Sequence, residues 1–229
     1  MRVILFDIDG TLLRSGAGKR AMESAMRQLF GTSGDPDHRY DGKTDRQIVR
    51  EVLTWSGLDD ATIDARMPEA EACYVEALRR ELANGNGVRL LPGVTALLDA
   101  VEGRTDMLLG LLTGNVAEGA AAKLAAVDVD MRRFRVGAFG SDHEDRRELP
   151  AIAQQRARHL LAREVAGDAL VIVGDTPSDI SCGRSIGARA VAVATGRYTV
   201  SELAAHAPAA VFADLTDTSA VLSALAAAS

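Results

Sequence analysis

Polar and apolar positions follow two different rhythms along this chain. Short apolar runs at residues 3–6, 107–112, 136–139, 170–173, 190–194 and 211–213 read as strands. Between them, helix-like spacing appears near residues 94–101, 117–126, 149–166, 179–186 and 201–205. Start signals precede several of these: Pro92 before the first, Ser178-Asp179 before the fourth, Thr199 and Ser201 before the fifth. Strands alternating with helices predict an α/β domain built on a mainly parallel sheet. Residues 219–229 read as a final surface helix and a frayed end.

One block breaks the rhythm. From about Arg14 to Arg89 the pattern is helical throughout, around residues 17–30, 45–56 and 62–83. Ala21, Ala25, Met26 and Leu29 share one face, as do Ile48, Val52 and Trp55. Ser15-Gly-Ala-Gly on one side and Asn84-Gly-Asn-Gly on the other flank the block as hinges. The pattern therefore predicts a helical domain inserted after the first strand.

Composition narrows the function. At 229 residues the chain buries one large core, or a core plus a smaller second domain. A net charge of −6 argues against a general binder of nucleic acid or anionic membrane. The two cysteines, Cys73 and Cys182, lie far apart in unlike contexts, which predicts free, inert thiols in a reducing compartment. Asp7 and Asp9 interrupt the first apolar run too early for a signal peptide, and no stretch approaches the roughly 20 apolar residues of a membrane span. A cytoplasmic location is expected.

Chemistry collects at strand ends. The first strand runs into Asp7-x-Asp9-Gly10-Thr11, the second into Thr113-Gly114-Asn115, and a later one into Asp175 and Asp179. Taken singly, each has an ordinary reading: a turn, a helix N-cap, a cap again. In an open parallel sheet, however, ligands bind outside the carboxyl ends of the strands, and all five chemistry-bearing residues share that edge. Several carboxylates together repel one another and need a cation, for which an oxygen set with an open position suits Mg²⁺. Thr113 and the neighbouring amides supply a cradle for a phosphate.

The stretches FDIDGTL, LLTGN and GDTPSDI, in this order and spacing, closely resemble three motifs of the haloacid dehalogenase superfamily of phosphohydrolases. The resemblance covers essentially the whole chain. YDGKTDRQI, residues 40–48, resembles the helical cap of members similar to phosphoglycolate phosphatase. It implies a Rossmann-like core, residues 1–13 and 90–229, with residues 14–89 as a mobile helical cap. By the same resemblance Asp7 is the nucleophile that becomes an aspartyl phosphate, and Asp9 protonates the leaving oxygen and later activates water. Mg²⁺ is then held by the Asp7 side chain, the Asp9 main-chain carbonyl and Asp175, with Asp179 assisting.

The superfamily generally carries a lysine before its last motif, and here the sequence departs from it. The expected place holds FGSDHEDRRELPAIA, which puts Arg146 at the lysine position and Arg147 one step behind; Lys123 falls within the helix after Thr113. Arginine can neutralise a carboxylate and clamp phosphate, although it is bulkier and planar.

Lys43 and Thr44, in the GKTD stretch, either close over the substrate and read its non-phosphate part or stand on a cap loop in solvent. Ser15-Gly-Ala-Gly18-Lys19-Arg20 resembles part of a P-loop but has Leu13 and Arg20 where that motif needs glycine and a hydroxyl residue. His38, His143, His159 and His206 show no metal-ligand spacing.

The resulting expectation is a Mg²⁺-dependent phosphatase of a small phosphorylated metabolite, with phosphoglycolate as the default substrate. A β-phosphoglucomutase-like phosphomutase and a non-catalytic phosphometabolite-binding protein are the alternatives. A haloacid dehalogenase needs no Asp9, and phosphonatases of the superfamily lack that second aspartate.

Overall fold

The computed structural model describes residues 1–85 and 87–227. The chain begins with strand β1 (Arg2–Phe6), a two-residue strand β2 (Leu13–Arg14), and three helices, α1 (Ala17–Phe30), α2 (Asp45–Trp55) and α3 (Asp60–Ala83). It returns through β3 (Arg89–Leu90), α4 (Val94–Glu102), β4 (Met107–Thr113), α5 (Ala117–Ala125), β5 (Val136–Phe139) and α6 (Leu149–Leu161). It ends with β6 (Leu170–Gly174), α7 (Pro177–Cys182), β7 (Arg189–Val193), α8 (Val200–Ala204), β8 (Ala210–Phe212) and α9 (Thr218–Ala226). The hinge residue Asn86 and the frayed end at 228–229, both expected from sequence, lie outside the described residues.

Six strands form one parallel sheet in the order β5-β4-β1-β6-β7-β8. Its central strands are buried on both faces, which is why they read as unbroken apolar runs. Ile4, Phe6, Leu109, Leu111, Val171 and Val173 pack toward α4, α5 and α9. Val3, Leu5, Leu112, Leu170 and Ile172 pack the other way, toward α6 and α7. This doubly wound α/β core puts a change of winding direction at β1: the chain moves outward to β4 and β5, then returns to β6 on β1's opposite side.

The helices α1, α2 and α3 enclose a separate apolar cluster of Ala17, Ala21, Met22, Ala25 and Met26 with Ile48, Val52, Leu53, Ile63 and Tyr74. Val116, just before α5, joins that cluster. The two passages between helical block and sheet lie side by side, because β2 and β3 pair as an antiparallel ribbon, Leu13 opposite Leu90.

Some expected elements shift. Trp55, assigned by period to the face of Ile48 and Val52, is 62% exposed. Leu53 and Leu58 close that end of the cluster, Leu58 folding back after Gly57 with its N–H on the Leu53 carbonyl. Helix α6 stops at Leu161 rather than near 166, where Ala162 adopts a left-handed conformation (φ 49°) and Val165 turns back into the core. Helix α7 starts two residues before Asp179: Thr176 caps it, and Asp179 completes a capping box.

Candidate active site

The carboxyl ends of β1, β4 and β6 meet at one place. Asp7 follows β1 directly, and its N–H still donates to the Val173 carbonyl (2.9 Å), so the nucleophile candidate is fixed by the sheet. The chain then folds tightly, with the Ile8 carbonyl accepting the N–H groups of Leu12 (2.9 Å) and Leu13 (3.0 Å). Gly10, at φ +85°, is required twice over: it turns the chain, and a Cβ there would stand 2.3 Å from Asp175 Oδ2. Thr11 Oγ1 donates to Asp175 Oδ1 (3.2 Å), tying the β1 and β6 loops together.

Asp7, Asp175 and Asp179 are all buried, and one carboxylate oxygen from each lies within 4.8 Å of the others. Arg146 enters beside them from a 3-10 turn (Arg146–Glu148), only 6% exposed. Its Nη2 donates to Asp179 Oδ1 (2.5 Å) and lies 3.2 Å from Asp7 Oδ1. Arg147 points outward and pairs with Asp145 (2.5 Å). Asp179 Oδ2 accepts from the Thr176 N–H (3.0 Å) and hydroxyl (2.7 Å), so both of its oxygens are engaged.

One guanidinium does not balance three buried carboxylates. Burial pushes the Asp7 carboxyl up to about 6, against the pull of Arg146 and with the push of Asp179 and Asp9. Burial, with Asp179 and Asp7, holds Asp175 well above the usual carboxylate range. The cluster is an all-oxygen donor set with excess negative charge, and it fits a hard divalent cation.

The opposite wall is a second network that sequence reasoning missed. Lys123, set aside as a residue of helix α5, is 3% exposed and points into the site. Its Nζ donates to Asp9 Oδ2 (2.5 Å) and to Asn115 Oδ1 (2.5 Å), and Asn115 Nδ2 donates to the same Asp9 Oδ2 (2.8 Å) and to Thr113 Oγ1 (2.7 Å). Burial pulls the Lys123 ammonium down, but Asp9 and Asp45 more than offset it, leaving its pKa raised. A signal was available: Gly119, Ala120, Lys123 and Leu124 form one buried stripe, so Lys123 occupies a core-facing position.

Asp45, at the first turn of α2, was likewise unforeseen. Its N–H donates to the Gly114 carbonyl (2.7 Å) and its Oδ2 accepts from the Val116 N–H (2.8 Å). The buried Tyr74 of α3 has its phenol pushed well above the usual range, first by burial and then by the Asp45 and Asp9 carboxylates. Burial pushes Asp45 up to about 6, although Lys123 and the Val116 N–H pull it down. Gly114 serves this docking: a Cβ there would lie 2.0 Å from the Lys43 carbonyl.

The Asp45 shift gives a signed pH expectation. Its native pKa lies above its unfolded value, so Asp45 costs little below about pH 4 and costs most above about pH 6. Asp45→Asn should therefore gain on wild type, by up to a few kcal/mol, as pH rises through that window. Parallel thermal melts at several pH values check this; a difference that is flat or falls with pH would contradict it.

The remaining expected residues divide. Thr113, Gly114, Asn115 and Lys43 line a cavity of about 440 Å³ with Asp7, Asp9 and Asp175. Lys43 Nζ is paired there with Glu51 (2.5 Å). Thr44 corrects the sequence reading: it is fully buried, accepts the Gln47 N–H (3.0 Å) as the cap of α2, and donates to the Glu144 carbonyl (2.6 Å). Its hydroxyl is spent on structure and does not line the cavity. Cys73 and Cys182 are both free thiols.

The haloacid dehalogenase-like hydrolase family matches residues 4–184. Phosphoglycolate phosphatase 1 of Pseudomonas aeruginosa is 27% identical over 223 residues, covering 94% of this chain and 78% of that protein. Phosphoglycolate phosphatase of Escherichia coli strain K12 is 26% identical over 215 residues, covering 86% and 82%. A crystal structure of a hydrolase from Pseudomonas syringae superposes with a TM-score of 0.74 at 19% identity, covering 99% of this chain and 100% of that one, which supports the fold. Family match and curated relatives together support a phosphoric monoester hydrolase. The chain belongs to the haloacid dehalogenase-like hydrolases.

Proposed function

We propose that this hydrolase is a Mg²⁺-dependent phosphatase that cleaves a small phosphorylated metabolite through an aspartyl phosphate on Asp7, with phosphoglycolate as the first substrate to try. The observation that carries the reading is the buried Asp7 carboxylate lining a 440 Å³ cavity, beside Arg146 and clustered with the carboxylates of Asp175 and Asp179, with Asp9 lining the same cavity. Asp7, Asp175 and Asp179, with the Asp9 carbonyl, are the residues that would hold Mg²⁺. The ion supplies charge neutralisation on the transferring phosphoryl group.

The protein's own groups divide the work. Asp7 attacks phosphorus in line with the leaving oxygen, and Asp9 gives that oxygen its proton. Asp9, now a carboxylate, then takes a proton from the water that opens the aspartyl phosphate, which releases inorganic phosphate, restores the Asp7 carboxylate and returns Asp9 to its acid form. Thr113, Gly114 and Asn115 bracket the phosphate, and Lys43 faces the non-phosphate part of the substrate. Residues 14–89 act as a cap over a core of residues 1–13 and 90–229, opening at the paired β2–β3 crossing. No helix among the described residues is long and apolar enough to cross a membrane, and two free cysteines accord with a cytoplasmic enzyme.

The test is a panel of phosphorylated metabolites and an aryl phosphate assayed with Mg²⁺ and with chelator, with products identified. Release of inorganic phosphate that chelator reduces at least about 100-fold, and Mg²⁺ restores, is the expected result. Retention of the phosphoryl group on an isomerised sugar would establish a phosphomutase instead. Binding without turnover would establish a non-catalytic phosphometabolite protein.

A further inference from the structure

Asp9 is held by one oxygen only. Lys123 Nζ and Asn115 Nδ2 both donate to Oδ2, at 2.5 and 2.8 Å, and no contact among the described residues falls on Oδ1. Two donors converging on one carboxylate oxygen fix the plane of the carboxyl group. They also leave the other oxygen as the one presented to the cavity. The donors are themselves fixed, because Lys123 also binds Asn115 Oδ1 (2.5 Å) and Asn115 binds Thr113 Oγ1 (2.7 Å).

Lys123 has a further constraint from across the cleft. A Cβ placed on Gly18 of α1 would stand 3.1 Å from Lys123 Nζ and 3.7 Å from the Tyr74 hydroxyl. The ammonium, the Tyr74 phenol and the α1 backbone therefore crowd one small volume. Asp45, of the same helical block as Tyr74, is bonded to Gly114 and Val116 of the core and holds that block docked. Lys123 belongs to the sheet domain, whereas Gly18, Asp45 and Tyr74 belong to the helical block. The ammonium finds its full surroundings only when the two are docked.

We propose that Lys123 is a positioning residue: closed over by the docked helical block at Gly18 and Tyr74, it aims Asp9 Oδ1 at the leaving-group oxygen. The inference rests on the phosphatase reading of Asp9. A lysine that only stabilised the fold would, if lost, slow every substrate alike. One that aims the proton donor matters most when the leaving group is a poor one, because an alkoxide needs its proton in the transition state and a nitrophenolate scarcely does.

The experiment compares Lys123→Met, Lys123→Arg and Asp45→Asn with wild type on an alkyl phosphate and on 4-nitrophenyl phosphate, at saturating Mg²⁺. Lys123→Met should lose about 100-fold or more in kcat/KM on the alkyl ester and at least about tenfold less on the aryl ester, because kcat/KM reports the steps up to phosphoryl transfer onto Asp7 and leaves out the later hydrolysis that both esters share. Lys123→Arg, which keeps charge and donors, should recover part of the alkyl-ester rate, and Asp45→Asn should show the same selectivity in smaller degree. Equal losses on the two esters, or none, would overturn the proposal. If Lys123→Met fails to give a cooperative melt, the other two variants decide it by the same ratio. Wild type inert toward both esters would instead strike at the phosphatase reading itself.

Discussion

Asp7→Asn should abolish turnover, by at least about 10⁴-fold, while leaving the protein folded and more stable when metal-free at neutral pH. The amide keeps the size of the carboxylate but has no anionic oxygen with which to attack phosphorus. The stability gain follows from the same burial that shapes the site. Asp7 titrates near 6 in the native state, above its unfolded value, so at about pH 7.5 the native state bears the cost of ionising it. Asn removes that cost and one of three mutually repelling charges. Turnover on an aryl phosphate, acid-quench trapping of radiolabelled phosphoenzyme and a chelated thermal melt together check it. A variant retaining more than about 1% of wild-type turnover, or still trapping label, would remove Asp7 from the nucleophile's role.

Much of this site was legible because its parts sit at strand ends, where local pattern is strongest. A run of apolar β-formers that stops at an aspartate fixes the position of Asp7, and likewise of Thr113 and Asp175, once the strands are known to be parallel. What escaped was whatever depends on which way a helix or turn faces. Lys123 was hidden in an alanine-rich helix whose buried stripe is visible only on counting from Gly119. Asp45 and Tyr74 lie far from it in sequence and meet the site only through docking of the helical block. Thr44 was overread: Thr44 and Gln47 stand three apart, an N-cap spacing that explains the threonine without a substrate. The β2–β3 ribbon was missed because two residues per strand carry no periodicity.

The choice between Arg146 and Arg147 shows the same limit, and its resolution leads to the second large effect. The two arginines are consecutive in a 3-10 turn, and spacing alone cannot say which turns inward. Asp145 caps that turn by accepting the Arg147 N–H (2.9 Å) and also takes the Arg147 guanidinium, drawing it to the surface while Arg146 faces the carboxylates. Arg146→Ala should therefore cost at least about tenfold in kcat/KM, roughly 1.4 kcal/mol or more of transition-state stabilisation. It should also destabilise the fold by about 3–5 kcal/mol at neutral pH, since it leaves buried carboxylates without their counter-charge. The direction with pH is fixed by electrostatics. Arg146 holds the Asp7 carboxyl down, so its loss moves Asp7 upward and shifts the acid limb of the rate profile to higher pH. Arg146→Lys, which restores the charge without the planar fork, should fall between wild type and the alanine variant. Arg147→Ala, at a solvent-exposed position, should stay within about twofold of wild type. Rate profiles over pH at saturating Mg²⁺, with denaturant melts of the same variants, measure all of these together. If Arg146→Ala lost stability yet kept its rate as Arg147→Ala does, the buried guanidinium would be a structural counter-ion to Asp179 and would have no part in holding Asp7 ready.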